Sequence, residues 1–498
     1  MRRIQSELRR PDAVAIRGDS SRLGIAFGLG AIVTLAAELG ILAHRRSRAL
    51  SPASSSVTLD RTEPMPALGQ RPGVPKRTIE PVRRVERITM LLPNNAYPQD
   101  VRVRHEAESL VAAGHFVEVI APRHIRQPFR ERVNGVEVRR FPAIQAGRPS
   151  LRTLIAEHLV AVVALHVAAL RALLRGATVL HIHNPPDMLF LAGAMFRVAR
   201  RHVVFDHHDL GPELVAVRLN SPHFVWLARA GERLTFAVAS RVLATNDSHA
   251  EVAADRGHKA PHDVTVVRNG PPASWLRLPM PHRPGPLSSV RIAYLGAVAD
   301  QDGVDGLARV LAHLRDRNPS IEASVTIIGD GDGRHAVEAE LERWGVAGSV
   351  TFTGWVAAES VPALLRDADI CVEPAPDSAL NRRSTMIKLA EYLALGKPVV
   401  AYDLLENRRT VGEAAILVRP GDAVAFAEQI AFLAANPVVR VSLSRRARAR
   451  ARTLTWERSE VALLAAYASL GVDNQAKELQ VPCAHADTRG GAPRRGAA

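Results

Sequence analysis

Two series of alternating strand and helix patterns, separated by one proline-rich break, constrain this chain more than any other feature. In the first series, apolar runs at 88–92, 116–120, 136–141, 178–182, 202–205, 241–244 and 264–267 have the length and character of buried strands. Helical spacing occupies 101–113, with Gly114 at its end, then 151–175 and 188–199. Residues 271–288 are proline-rich and interrupt the pattern. The alternation restarts with strands at 290–295, 323–328, 349–353, 370–372, 398–402 and 415–418, interleaved with helices at 303–317, 335–344, 361–368, 385–395 and 423–435. Short apolar strands alternating with helices predict parallel sheets covered on both faces. The expected fold class is therefore α/β, with two Rossmann-like, doubly wound parallel-sheet domains in series facing each other across a cleft. Ligands in such sheets lie beyond the carboxyl ends of the strands.

The predicted domains are 85–272 and 289–452, joined by a linker at 273–288. A C-terminal helix at 453–470 is expected to pack back on the first domain, and 471–498 is expected to be a disordered tail. Residues 1–84 form an extension. Within it, 23–43 is rich in Gly, Ala, Leu and Ile and carries one charge, Glu38. It is about long enough to span a bilayer, so an N-terminal membrane anchor is one reading and a poorly ordered extension the other. Residues 47–84 are rich in Ser, Pro and Arg and read as linker.

The two cysteines, Cys371 and Cys483, fit no metal spacing and exclude a disulfide framework. A reducing cytoplasm is the natural compartment. The formal charge of +15 suits an acidic partner such as a nucleotide or an anionic membrane surface. No basic motif with interleaved aromatics of the RNA-binding kind is present, so nucleic acid is the weaker reading.

Residues 381–403, NRRSTMIKLAEYLALGKPVVAYD, carry the strongest functional signal. A helix is expected to start at Ser384-Thr385, with Met386, Ile387, Ala390, Leu393 and Ala394 at helical spacing and Gly396 and Pro398 as its stop. A helix start carries unpaired N–H groups and a partial positive charge, which suits a diphosphate. Glu391 is predicted to share a face with Ser384 and Lys388, where a carboxylate could accept hydrogen bonds from a ribose. An ordinary capped helix fits the same spacing. Elsewhere, HNPPD at 183–187 and FDHHDLGPEL at 205–214 place polar residues just after strands, which suits acid/base or substrate-contact roles. Their spacing matches no standard zinc set. Gly296 and the run at 329–333, GDGDG, follow strands of the second domain, and Glu373 ends another. The apolar helix 151–175 fits either a buried core element or a membrane-docking face.

Taken together with the QDGVDGL run at 301–307 and IGDGDG at 328–333, these segments make residues 87–470 resemble a family 4 retaining glycosyltransferase of the GT-B type. The likeness is greatest to bacterial enzymes of exopolysaccharide or lipid-linked oligosaccharide synthesis. The resemblance implies that His208 is the active-site histidine contacting the donor sugar and that Glu373 is catalytic with it, Glu373 and Asn381 lying near the sugar or base. It implies Glu391 at the nucleotide ribose, and the backbone of Thr385, Met386 and Ile387 at the diphosphate. Gly296, Gly329, Ser384 and Lys388 join that donor site. His183, Asn184, Asp187, Asp209 and Glu213 are implied as acceptor or sugar contacts. The implied chemistry moves a sugar from a UDP- or GDP-sugar to a lipid-linked or glycan acceptor at the cytoplasmic membrane face, with no bound metal or other cofactor. Three positions depart from the family pattern: Arg383 stands where the first Glu of E-x7-E belongs, and Ala297 and Asp302 replace an Arg and a Lys that grip the diphosphate. Arg383 or Lys388 would then supply that charge. A nucleotide-sugar epimerase shares the fold, and the departures also fit a catalytically inactive partner subunit.

Overall fold

The computed structural model describes residues 85–478, apart from 125, 143–150, 186, 220 and 280–282. The expected membrane segment at 23–43 therefore lies outside the described residues. The first sheet has eight strands: β1 Arg87–Leu91, β2 Phe116–Pro122, β3 Arg130–Val133, β4 Val136–Phe141, β5 Val179–His183, β6 His202–His207, β7 Arg241–Ala244 and β8 Val264–Val266. Their spatial order is β3-β4-β2-β1-β5-β6-β7-β8. Every pairing is parallel except the hairpin β3–β4. The second sheet is formed by β9 Ser289–Leu295, β10 Glu322–Ile328, β11 Val350–Gly354, β12 Ile370–Glu373, β13 Val399–Tyr402 and β14 Ile416–Val418. Its order is β11-β10-β9-β12-β13-β14, all parallel.

Each sheet reverses its strand order once, between β1 and β5 in the first and between β9 and β12 in the second. Loops leaving the carboxyl ends on either side of a reversal diverge and open a crevice. Burial on both faces explains the unbroken apolar strands. Leu180, Ile182 and Phe205 face one core layer of the first sheet, and Met90, Val119 and Leu243 face the other. Tyr294, Ile327 and Val372 face one layer of the second, and Ala293, Ile328 and Cys371 the other.

The helix Trp456–Glu478 returns to the first domain. Trp456, Leu463, Tyr467 and Leu470 join the layer that holds Met90 and Val119, and Trp456 Nε1 donates to Ser109 Oγ at 3.2 Å. This helix continues to Glu478, past residue 470, where the sequence led us to expect a disordered tail. The chain crosses between the domains twice, and the crossings touch: Trp456 N donates to Pro271 O at 3.0 Å. Any side chain at Gly270 would meet the Leu454 carbonyl oxygen at 1.9 Å.

The described residues of 273–288 pack against the second domain. They hold a 3-10 turn, Ala273–Arg277, with Trp275, Leu276 and Leu278 against the second domain's core, and Leu287 is buried in that core. Among the described residues, no single helix is long and apolar enough to cross a membrane.

Candidate active site at the cleft

His208 follows β6, and its environment is built from three chain segments. Its Nδ1 lies 3.0 Å from Asp206 Oδ2, and its backbone N–H donates to Asn184 Oδ1 at 2.9 Å. Asn184, fully buried after β5, also receives the Asp209 N–H at 3.2 Å and donates through Nδ2 to Asp209 O at 2.7 Å. Asn184 is thus a strap that ties the end of β5 to the His208 turn, and it is not available to a sugar. His183 is likewise buried, with Nδ1 on Asp206 Oδ2 at 3.0 Å. Neither residue presents its side chain to the cleft, which corrects the expectation of sugar contacts there. Asp187 begins a 3-10 turn, Asp187–Leu189.

Asp206 is the hub. The Arg102 guanidinium, from the helix Val101–Ala112, donates to both of its oxygens at 2.6 and 2.7 Å. Burial opposes ionisation of Asp206, but Arg102, His208 and His183 hold its pKa well below the carboxylate range. Burial also opposes the charge on His208, yet the Asp206 carboxylate outweighs it and raises the His208 pKa above the usual imidazole value. His183 shares the same oxygen but is completely enclosed, and burial leaves its pKa lowered. Glu106, His181, His183 and Asp206 bring ligand-type atoms within 4.8 Å of one another, a density that suggests a metal nest. The Arg102 guanidinium sits among them, 3.1 Å from Glu106 and 2.6 Å from Asp206.

In the second domain the helix Ile387–Ala394 starts with Met386 as its N-cap, and no side chain caps it. Its first amides therefore have no side-chain acceptor from the cap. Lys388 is buried, 2.8 Å from Glu373 Oε2, 3.0 Å from Tyr294 Oη and 3.8 Å from Asp302 Oδ1. Burial would lower its pKa, but Glu373, Tyr294 and Asp302 together raise it, so Lys388 is firmly charged. Gly296, at φ +139°, leaves room for this arrangement, since a Cβ there would come 2.9 Å from Lys388 Cε. Glu391 is partly buried, and burial pushes its carboxyl up to about 7 against the opposing pull of Lys388.

Several expected donor contacts turn out to be structural. Glu373 is fully buried, pairs with Lys388 and accepts the Ala375 N–H at 3.1 Å, so it cannot touch a sugar. Asn381 is buried and ties its own loop to Gln301 O and Pro376 O at 2.8 and 2.9 Å. Ser384 and Thr385 precede the helix rather than start it. The Ser384 hydroxyl donates to Leu380 O at 2.9 Å, and Thr385 Oγ1 accepts from Asn246 Nδ2 at 2.9 Å. Gly329 is glycine for packing: at φ +138°, a Cβ would meet Gly296 O at 1.9 Å.

The Asn246 contact crosses the cleft, and the same amide donates to Arg383 O at 2.8 Å. Arg383 extends its guanidinium to within 3.9 Å of Glu213, which lies in the helix Gly211–Leu219 just after the His208 turn. Glu213 is otherwise held by Arg256 at 3.1 Å. Below this, the buried Glu406 receives the Ser248 hydroxyl at 2.6 Å and Arg409 at 3.0 Å. The role of Asp206 as the hub, and those of Arg102 and Asn246, are not marked by any of the sequence motifs. A charged pair at i, i+4, Arg102 and Glu106, on the helix face that also carries Val103, Ala107 and Leu110 was the available signal for Arg102.

Residues 99–270 match the family described as glycosyl transferase 4-like domain, and residues 289–436 match glycosyl transferases group 1. A D-inositol 3-phosphate glycosyltransferase from Salinispora tropica is 28% identical over 263 residues, which cover 48% of this chain and 52% of that protein. A 2-deoxystreptamine glucosyltransferase from Streptomyces kanamyceticus is 25% identical, over 35% of this chain and 41% of its own length. The chain thus spans about half the length of the first of these curated relatives. Among solved structures, sucrose-phosphate synthase from Thermosynechococcus elongatus superposes with a TM-score of 0.62 at 20% identity, covering 78% of this chain and all of that one. Anabaena HepE, solved with UDP and glucose, gives 0.54 at 16% identity over 78% of this chain and 99% of its own. These likenesses establish the fold.

Proposed function

Because the chain belongs to the GT-B glycosyltransferases of the family 4 type, we propose that it transfers a sugar from a nucleoside diphosphate sugar, with retention of configuration, to a lipid-linked or glycan acceptor. The observation that carries this reading is the pairing of two half-sites. The uncapped helix start at Met386–Lys388 and the lone carboxylate of Glu391 lie at the reversal point of one sheet. His208, whose pKa the Asp206 carboxylate raises, lies near that of the other. The helix start and the buried Lys388 would hold the diphosphate, and Glu391 the ribose. His208 would face the sugar, where a charged imidazole stabilises negative charge developing on the leaving group. In this reading the protein's own dipoles and cations serve where other enzymes use a metal ion, and the charge missing at Ala297 and Asp302 is restored by Lys388. A nucleotide-bound relative of the same fold supports a UDP-type donor.

The acceptor reading rests on one surface. On the helix Leu151–Leu174, Val160, Val163, Val167, Leu170 and Leu174 are exposed at 3-4-3-4 spacing, which puts them on one face. Leu191 and Val198 on the adjoining helix Phe190–Val198 extend the apolar patch, and Arg171, Arg175, Arg197, Arg200 and Arg201 lie in the same segments. An apolar stripe with basic residues beside it suits an anionic membrane at the cytoplasmic face and an acceptor anchored there.

The test is incubation with UDP-, GDP- and ADP-sugars. Transfer or slow donor hydrolysis is expected, with His208→Ala abolishing turnover while the melting temperature stays within a few degrees. Interconversion of the donors would instead reveal an epimerase, and full activity in His208→Ala would sink the assignment of that residue.

A further inference from the structure

We propose that Asp206 and Arg102 are positioning residues for the transfer: anchored by Arg102, Asp206 locks the ring of His208 with Nδ1–H pointing inward, so that Nε2–H is presented to an oxygen of the donor. The inference rests on the glycosyl-transfer reading and adds to it the machinery behind the histidine.

Three donors converge on one oxygen. Asp206 Oδ2 lies 2.7 Å from Arg102 Nε, 3.0 Å from His183 Nδ1 and 3.0 Å from His208 Nδ1. Its other oxygen accepts from Arg102 Nη2 at 2.6 Å. Arg102 is itself fixed by Val267 O and Asn269 Oδ1, both at 2.8 Å. The guanidinium cannot give up a proton, so the carboxylate between it and the rings stays ionised. An ionised carboxylate is acceptor-only, which forces a proton onto Nδ1 of both imidazoles. The two rings then diverge in fate. His183 is sealed in, and its Nε2 has no partner among the described residues. The His208 side chain keeps 14% of its surface exposed, whereas that of His183 is fully enclosed. A ring pinned at Nδ1 and still part-exposed has its second nitrogen held in a fixed direction. The backbone on either side is held too, because Asn184 grips the N–H groups of His208 and Asp209.

The charges facing His208 come from every element around it. Asp206 on its own strand and Asp209 in its turn favour the imidazolium, while Arg102 from the helix Val101–Ala112 opposes it. His183 at the end of β5 and His249 in the helix Asp247–Asp255 are both lowered by burial, so they add little opposing charge. Removing the carboxylate leaves Arg102 as the dominant neighbour. The imidazolium of His208 is then disfavoured and its Nδ1 loses its anchor.

The experiment compares wild type, Asp206→Asn and the double variant Arg102→Gln/Asp206→Asn. The double variant removes both members of the Arg102–Asp206 pair, leaves the buried Glu106, whose pKa burial raises well above the usual carboxylate range, to take up a proton, and serves if the single one folds poorly. His208 is titrated by imidazole NMR, and kcat and KM are measured across pH with the donor that wild type uses. We expect the titration of His208 to move to lower pH in both variants. We also expect kcat to fall roughly 100-fold, the scale of a positioned proton donor, with KM for the donor changed less than about threefold, and the falling alkaline limb of kcat/KM to shift to lower pH with the titration. An unchanged His208 titration would overturn the relay whatever the activity does. A shifted titration with unchanged kcat would overturn its role in transfer and leave the glycosyltransferase reading intact. If wild type neither binds UDP or GDP in a thermal-shift assay nor turns over any donor, the underlying function fails instead, and the relay as a device for transfer fails with it.

Discussion

Replacing Glu373 by Gln tests the claim that this residue serves Lys388 rather than the substrate. The pair is buried, with side-chain exposures of 0% for Glu373 and 8% for Lys388, so solvent cannot take over from a lost partner. Breaking a buried ion pair from one side costs on the order of 3–5 kcal/mol. Here Lys388 keeps Tyr294 at 3.0 Å and Asp302 at 3.8 Å, which places Glu373→Gln at the lower end, about 3 kcal/mol. Lys388→Met leaves Glu373 with only the Ala375 N–H and belongs at the upper end, about 5 kcal/mol. The double variant Glu373→Gln/Lys388→Met strands no charge and should cost less than either single change, about 1 kcal/mol. Urea unfolding followed by circular dichroism gives the three values, and hydrogen exchange in β12 and β13 assigns the loss to the second domain. If both single variants cost below about 1 kcal/mol, or if the double equals their sum, the pair is not the mutual compensation described here.

Two further outcomes follow from other parts of the site. The folded-state pKa of Glu391, about 7, exceeds the ordinary carboxyl value of 4.5, so between those values the folded state holds the extra proton and stability falls as pH rises. Glu391→Gln should therefore be more stable than wild type at pH 8, by at most about 3 kcal/mol, with the difference vanishing near pH 4.5; thermal melts across pH check this, and a constant difference would refute it. For the apolar stripe, Val163→Asp combined with Leu170→Asp should reduce co-sedimentation with vesicles containing anionic phospholipid at least about tenfold while soluble-donor hydrolysis persists. Undiminished sedimentation would remove this face from the membrane reading.

What was readable in the sequence depended on how local its physical cause is. The parallel strands were legible because burial on both faces demands short unbroken apolar runs, and β5, β7, β12 and β13 are buried at every position. The edge strand β3, RERV, was not, because an exposed antiparallel edge needs no apolar pattern. The helices Gly211–Leu219, Pro222–Val238 and Asp247–Asp255 were passed over in favour of the polar motifs beside them. At the site, the motif around His208 was visible, but Arg102 is 104 residues from Asp206, and nothing local announces that contact. Ser384 and Thr385 misled for a specific reason. Their hydroxyls had the chemistry of helix caps, but Leu380 O and Asn246 Nδ2 claimed them, and the helix began at Ile387.

The double crossing between the domains bears on how the cleft can move. One strand of chain passes from Asn269 towards Ala273 and the other returns through Leu454 to Trp456, and the two are in contact along one side of the junction. Two adjacent tethers resist sliding and twisting far more than a single linker does, and they leave rotation about the line of the tethers as the soft mode. Across the cleft, that rotation is opposed by Asn246 on Arg383 O and Thr385 Oγ1, and by the Ser248–Glu406–Arg409 cluster. The molecule is built like a book whose spine is stitched twice and whose page edges are clasped beside the donor loop. Widening the spine with Gly270→Val, which forces Leu454 away, should alter the small-angle scattering radius of the nucleotide-free protein more than that of the nucleotide-bound one. Equal changes in both would show that the crossings do not act as the pivot.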